Sequence, residues 1–154
     1  MNNRGMKICI VCSSGGHFFQ LFGLKEVWQN ENHFWVSFPT QDVQYLLKDE
    51  QVYWANYPTN RNVKNLLKNL VLAWRILKRE QPDVIISTGA GVAVPFILVG
   101  KLLKIKSIYI ESITFIKRIS LSGFLIYPFV DKFLVQWQEL AAIYKKAEYY
   151  GQVV

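Results

Sequence analysis

The sequence predicts an α/β domain in which a parallel β-sheet carries helices on both faces. Three observations carry this. Six short apolar runs alternate with segments of helical period. Two of the runs end in glycine turns that lead directly into helical patterns, Ser13-Ser14-Gly15-Gly16-His17 and Thr88-Gly89-Ala90-Gly91. Finally, the chain has 154 residues, 51% apolar and 19% charged, enough for one well-buried domain and few for two, so residues 1–154 are read as a single domain.

Lys7–Cys12 is continuously apolar after its first residue, as a central parallel strand is. His17–Gln29 sets Phe18, Leu21, Leu24 and Trp28 at helical spacing and predicts one helix. Between them, Gly15 and Gly16 let the backbone approach a ligand where a Cβ would clash, and the amide groups of the helix start favour an anion. His33–Phe38 is a second strand, ended by Pro39. Thr40 is suited to cap a short helix through Lys48, with Asp42 in its first turn. Val52–Ala55 is a third strand, and Tyr57-Pro58-Thr59-Asn60 a loop.

From Asn62 to Glu80, Val63, Leu66, Leu67, Leu70, Val71, Trp74 and Leu77 follow the i, i+3, i+4, i+7 rule, while Arg61, Lys64, Lys68, Arg75, Lys78 and Arg79 make the other face basic. Such a helix packs on a sheet. With Trp74 in it, and with Leu72, Ala73 and Ile76 widening its apolar arc, it also fits an interfacial membrane helix. Lys64, Lys68, Leu70, Trp74, Arg75 and Lys78 are the expected membrane-binding residues.

Gln81-Pro82-Asp83 stops that helix before a fourth strand, Val84–Ser87. The second glycine turn then opens the helix Val92–Leu103. In an open parallel sheet both glycine turns lie at the carboxyl edge, where ligands bind at the switch point between halves. Ser107–Ile110 is a fifth strand, delivering Glu111-Ser112 to the same edge. Ile119–Tyr127 is helical, with Ser120 near its start and Pro128 closing it. Asp131–Val135 is a sixth strand, followed by Gln136-Trp137-Gln138 and a short helix toward Lys146. The tail, Tyr149–Val154, either packs on the domain or meets another chain.

The formal charge of +7 predicts attraction to anions. Five Trp, eight Tyr and ten Phe exceed what one small core usually hides, which points to a partner or a membrane interface. The basic residues are interleaved with leucines on one helix and no nucleic-acid motif accompanies them, so nucleic acid is not the expected partner. Cys9 and Cys12, three apart beside one strand, should face opposite sides and remain buried thiols. His33 stands without a companion and reads as structural, and no metal-ligand cluster is expected. The longest apolar stretches, Val92–Gly100 and Leu121–Val130, are well short of the ~20 residues needed to span a bilayer. Met1-Asn2-Asn3-Arg4-Gly5 is polar, so no signal peptide is expected.

Four segments in order carry a resemblance: Ser14-Gly15-Gly16-His17, then Pro82-Asp83-Val84-Ile85-Ile86-Ser87-Thr88-Gly89-Ala90-Gly91, then Ile110-Glu111-Ser112 with Arg118 and Ser120, then Asp131-Lys132-Phe133-Leu134-Val135-Gln136-Trp137. Together they resemble the acceptor-binding half of GT-B glycosyltransferases. The closer likeness is to the free-standing half found in two-component enzymes. These are the membrane-associated subunit of the dolichol-linked N-acetylglucosamine transferase and the PssD-like proteins of capsule and exopolysaccharide clusters. The N-terminal half of MurG is similar more distantly. The eukaryotic subunit usually begins with a membrane-spanning anchor; none is expected here, as would fit a bacterial protein held peripherally.

The resemblance implies a Rossmann-like half-enzyme at the cytoplasmic face of the plasma membrane. It implies a small partner subunit that binds the UDP-sugar donor, so that no cofactor is held by this chain, and a polyprenyl-pyrophosphate-sugar acceptor beside an anionic membrane surface. By position, Ser14, Gly15, Gly16, Thr88, Gly89, Gly91 and Arg118 are expected at the acceptor pyrophosphate. His17 and Glu111 are expected nearest the acceptor hydroxyl as catalytic groups, His17 as base and Glu111 orienting it or binding a sugar hydroxyl. The rival reading is a non-catalytic scaffold that only recruits the transferase.

Overall fold

The computed structural model describes residues 5–153; the polar start at Met1–Arg4 and the last tail residue, Val154, lie outside the described residues. Seven strands form one parallel sheet in the order β3-β2-β1-β4-β5-β6-β7. They are β1 (Lys7–Cys12), β2 (Asn32–Ser37), β3 (Val52–Trp54), β4 (Val84–Gly89), β5 (Lys106–Ile110), β6 (Lys132–Val135) and β7 (Ala147–Tyr149). The helices are α1 (Gly16–Gly23), α2 (Lys25–Trp28), α3 (Gln41–Leu46), α4 (Val63–Glu80), α5 (Ala93–Leu102), α6 (Leu121–Ile126) and α7 (Gln138–Ile143).

The alternation of the strands splits the core in two. Cys9, Val11, Phe34, Ile85, Tyr109 and Phe133 pack under α4, α5, α6 and α7. Ile8, Ile10, Cys12, Trp35 and Ile86 pack under α1, α2 and α3. Cys9 and Cys12 therefore do face opposite sides, both free and buried, and burial pushes the Cys12 thiol up to about 12. α5 is buried on nearly all sides because α4 and α6 flank it over the sheet, which explains its uniformly apolar sequence. On the α1 side, Ile86, Ile108, Ile110 and Leu134 of β4–β6 face Leu24, Val27 and the tail across a cavity of about 280 Å³.

Three elements differ from expectation. The expected helix His17–Gln29 is two helices, broken at Leu24, whose N–H turns back to Leu21 O at 3.1 Å. The break carries Trp28 into the core, where its indole N–H donates to the same carbonyl at 2.9 Å and its ring meets Trp35 edge-on. Thr40 is the N-cap of α3 in position only, since its side chain makes no capping bond. The segment leading into the tail, Ala147–Tyr149, forms a seventh strand, β7, and the tail packs on the domain, where Val153 N–H donates to Gln136 Oε1 at 2.8 Å.

Candidate functional site

β1 and β4 are neighbours, and the chain leaves them for opposite faces, into α1 and α5. Their carboxyl ends are thus the topological switch point of the sheet, where an open α/β fold leaves a crevice. Gly15 begins the first turn at φ 74° and Gly89 the second at φ 114°, conformations that side chains with a Cβ rarely adopt. The two turns are tied to each other. His17 Nδ1 donates to Thr88 O at 2.7 Å, and Thr88 Oγ1 donates to His17 O at 2.6 Å. A carbonyl only accepts, so Nδ1 carries the ring proton and Nε2 keeps its lone pair. Burial lowers the His17 pKa below its ordinary value, against the opposing bond to Thr88, so the ring is neutral at pH 7.

Gly89 is where this junction is tightest. A Cβ there would lie 2.7 Å from the Tyr109 hydroxyl and 3.3 Å from His17 Cε1. Gly89→Ala is expected to cost about 3 kcal/mol from backbone strain and crowding together, read as a fall in Tm of about 6–12 °C. Gly16→Ala meets nothing within 4 Å and is the control, expected to shift Tm by less than about 2 °C.

His17 opens onto a cleft of about 690 Å³. It is walled by the first residues of α1, α4, α5 and α6, by Thr59, Asn60 and Arg61 of the loop after β3, and by Phe115. Residues at the starts of four helices line it, with Asn62 and Ser120 already capping α4 and α6, and among the described residues Arg61 lines it and no carboxylate does. The β3–α4 loop is held from inside α4. Asn69, fully buried, accepts from Asn56 N (2.8 Å) and Asn56 Nδ2 (3.0 Å) and donates to Asn56 O (2.9 Å). Asn62 caps α4 by accepting from Asn65 N.

The expected site residues separate into three groups. Gly15, Gly16, Gly89 and Gly91 do lie beside His17 at the sheet edge, with Ser14 half-buried at the turn and Gly91 against Thr59. Thr88 is buried with its hydroxyl and carbonyl both spent on His17, so its side chain joins the loops and is not offered to a ligand.

Glu111 is a correction. It is fully buried and makes no bond to His17. Its carboxylate accepts from Ser112 N (2.9 Å), Ser120 N (2.8 Å) and Ser120 Oγ (3.0 Å), folding the segment between β5 and α6. Burial raises its pKa, while the bonds from Ser120 and Ser112 oppose the rise. It is a positioning residue. Arg118 is exposed on the far side of Ser120, beside Phe124 and Tyr144, and does not line the His17 cleft. Arg61 does. Sequence reading missed it because it stands outside the glycine turns, just ahead of a helix already rich in cations.

On α4, Lys64, Lys68, Trp74, Arg75 and Lys78 are exposed, but Leu70 packs against the core and is withdrawn from the membrane-binding set. Val63, Leu67, Val71 and Trp74, spaced i, i+4, i+8 and i+11, are between 43% and 68% exposed and form a second apolar stripe beside the buried one. Lys78 Nζ lies 4.9 Å from the Trp74 ring centre. No helix among the described residues is long and apolar enough to cross a membrane.

Residues 8–153 match the family model described as Oligosaccharide biosynthesis protein Alg14 like. The chain belongs to this Alg14-like family. Among its relatives is the UDP-N-acetylglucosamine transferase subunit alg14 of Schizosaccharomyces pombe, 49% identical over 77 residues, covering 47% of this chain and 37% of that protein. The human UDP-N-acetylglucosamine transferase subunit ALG14 is 32% identical over 94 residues, covering 57% of this chain and 44% of that protein. This Alg14-like chain therefore matches less than half the length of either relative.

Among solved structures, MurG of Acinetobacter baumannii superposes with a TM-score of 0.74 at 19% identity, over 88% of this chain and 43% of MurG. MnaA of S. aureus, solved with UDP, gives 0.75 at 11% identity, over 96% of this chain and 44% of MnaA. The Alg14-like fold is thus one Rossmann-like half of the GT-B architecture, as the resemblance implied.

Proposed function

We propose that this chain is the acceptor- and membrane-binding subunit of a two-component glycosyltransferase. It holds a polyprenyl-pyrophosphate-linked sugar beside an anionic membrane and recruits a separate subunit that binds the UDP-sugar donor. The observation that carries the reading is the union of two features in one surface. The cleft, lined by Arg61 and, among the described residues, no carboxylate, with a neutral His17 whose Nε2 is an acceptor, adjoins the exposed stripe that starts at Val63 on its rim and runs beside the cations of α4. A lipid-linked diphosphate needs both, one for its head and one for its tail. His17 is then placed to take the proton of the acceptor hydroxyl, and the helix starts to hold the diphosphate. Assembly of capsule or exopolysaccharide repeat units at the cytoplasmic face of the plasma membrane is the setting we assign, supported by the likeness of the four ordered segments to PssD-like proteins. The partner subunit is assigned to the carboxyl edge of the sheet together with Trp137 and Tyr149-Tyr150.

The test is a mixing experiment. The chain, a nucleotide-sugar-binding subunit of the two-component type, and both together are assayed with a series of UDP-sugars and a polyprenyl-diphosphate sugar in vesicles. Transfer is expected only from the pair, and full transfer by this chain alone would overturn the half-enzyme reading. In the same vesicles, Lys68→Glu is expected to weaken membrane recruitment roughly thirtyfold, from reversal of one charge at the anionic surface.

A further inference from the structure

We propose that Arg61 is the cation that neutralises the diphosphate in the His17 cleft, a role that rests on the lipid-linked acceptor reading above. Arg61 lines the cleft, is exposed, and forms no ion pair among the described residues. Most other cations near this end of the molecule lie elsewhere: Lys64 and Lys68 are on the exposed face of α4, and Arg118 is beyond Ser120. His17 is neutral and supplies no charge.

The backbone at Arg61 supports a dedicated placement. Its φ is 49°, in the left-handed region that arginine seldom occupies and where asparagine or glycine is the usual choice. The loop that imposes this conformation is fixed at three points: the Asn69 clamp on Asn56, the bond from Asn65 Nδ2 to Pro58 O at 2.9 Å, and the Asn62 cap. Thr59 of the same loop stands against Gly91, where a Cβ would come within 2.9 Å of it, so the guanidinium is carried on a loop seated directly over the second glycine turn. A guanidinium binds phosphate oxygens bidentately, and Arg61 lines the same cleft as His17 and Gly91 of the two glycine turns.

Binding separates this role from the general attraction of a basic surface. The full chain is titrated with phosphatidylcholine vesicles containing undecaprenyl diphosphate, undecaprenyl monophosphate or neither, with phosphatidylglycerol vesicles, and with inorganic pyrophosphate as competitor. The wild type is expected to prefer the diphosphate vesicles. Arg61→Asn, which suits the left-handed backbone, is expected to lose about tenfold in affinity for them, the worth of one charge-assisted contact, and to bind phosphatidylglycerol vesicles within about twofold of wild type. Arg118→Gln is expected to change neither. An unchanged Tm for Arg61→Asn confirms the fold.

If Arg61→Asn keeps the wild-type preference for diphosphate, the role of Arg61 is overturned and the acceptor reading stands. If the wild type shows no such preference, the acceptor reading fails and this role with it. Pyrophosphate that competes as well as the lipid would locate recognition in the diphosphate alone; pyrophosphate that fails to compete while the lipid binds would show that the tail is needed as well. The Arg61→Asn loss on the lipid is expected in both cases.

Discussion

Replacing His17 by alanine is expected to lower sugar transfer by the reconstituted pair about 10²–10⁴-fold, the range for removal of a general base, while membrane binding stays within about twofold of wild type. The expectation comes from the tautomer. Thr88 O fixes the proton on Nδ1, and burial keeps the ring from gaining a second one, so Nε2 is an acceptor at working pH. Because the folded pKa lies below 6.5, the acid limb of kcat/KM should fall below that value and disappear in the variant. The same shift has a stability sign. Between the folded pKa and 6.5 the unfolded chain binds more protons than the native one, so stability from this group drops as pH falls through 6.5 and levels off below the folded value. Unchanged transfer by His17→Ala, with recruitment lost in Lys68→Glu, would establish the scaffold reading instead.

Glu111→Ala is expected to destabilise the fold by about 3 kcal/mol, lowering Tm by about 6–12 °C, because two backbone N–H groups and a hydroxyl lose one buried acceptor together. Glu111→Gln does not rescue it fully, since its amide N–H₂ must face one of those donors. Gly123 shows how closely the carboxylate is enclosed: a Cβ at that position would lie 2.5 Å from Glu111 Oε2. The pH dependence is opposite to that of an ordinary paired carboxylate. The folded pKa is raised, so the native chain holds its proton where the unfolded chain has released it. The contribution is fullest below 4.5 and declines as pH rises through the folded value. Chemical denaturation of wild type and Glu111→Gln across pH 4–8 reads this difference.

The strands were legible because a sheet covered on both faces needs continuous apolar runs, and both glycine turns were legible because glycine has a conformational reason to be there. β7 was not, since Ala147-Glu148-Tyr149 is an edge strand with one face on the core and too short to show a pattern. The break at Leu24 depends on where Trp28 finds its partners, which spacing along the chain does not encode. The site was legible to the extent that it follows strand ends. Glu111 was correctly brought to the carboxyl edge, yet whether a carboxylate there meets a ligand or its own loop is decided by three donors supplied from Ser112 and Ser120. Arg118 and Arg61 were indistinguishable as residue types; only the order of α4, α5 and α6 over the sheet puts one of them in the cleft.

The Asn69 clamp bears on how the proposed acceptor would be captured. Ordering a free loop costs about 1–2 kcal/mol per residue, and a binder that does this on contact gives up affinity accordingly. Here an amide buried inside α4 holds the loop at Asn56, so the segment that carries Arg61 is ordered when the chain folds. Under the proposed function, encounter with the lipid-linked acceptor needs no rearrangement of that wall. On the proposed acceptor-binding role, the order of the wall that carries Arg61 is supplied at folding by a core asparagine outside the cleft, not at the moment of binding.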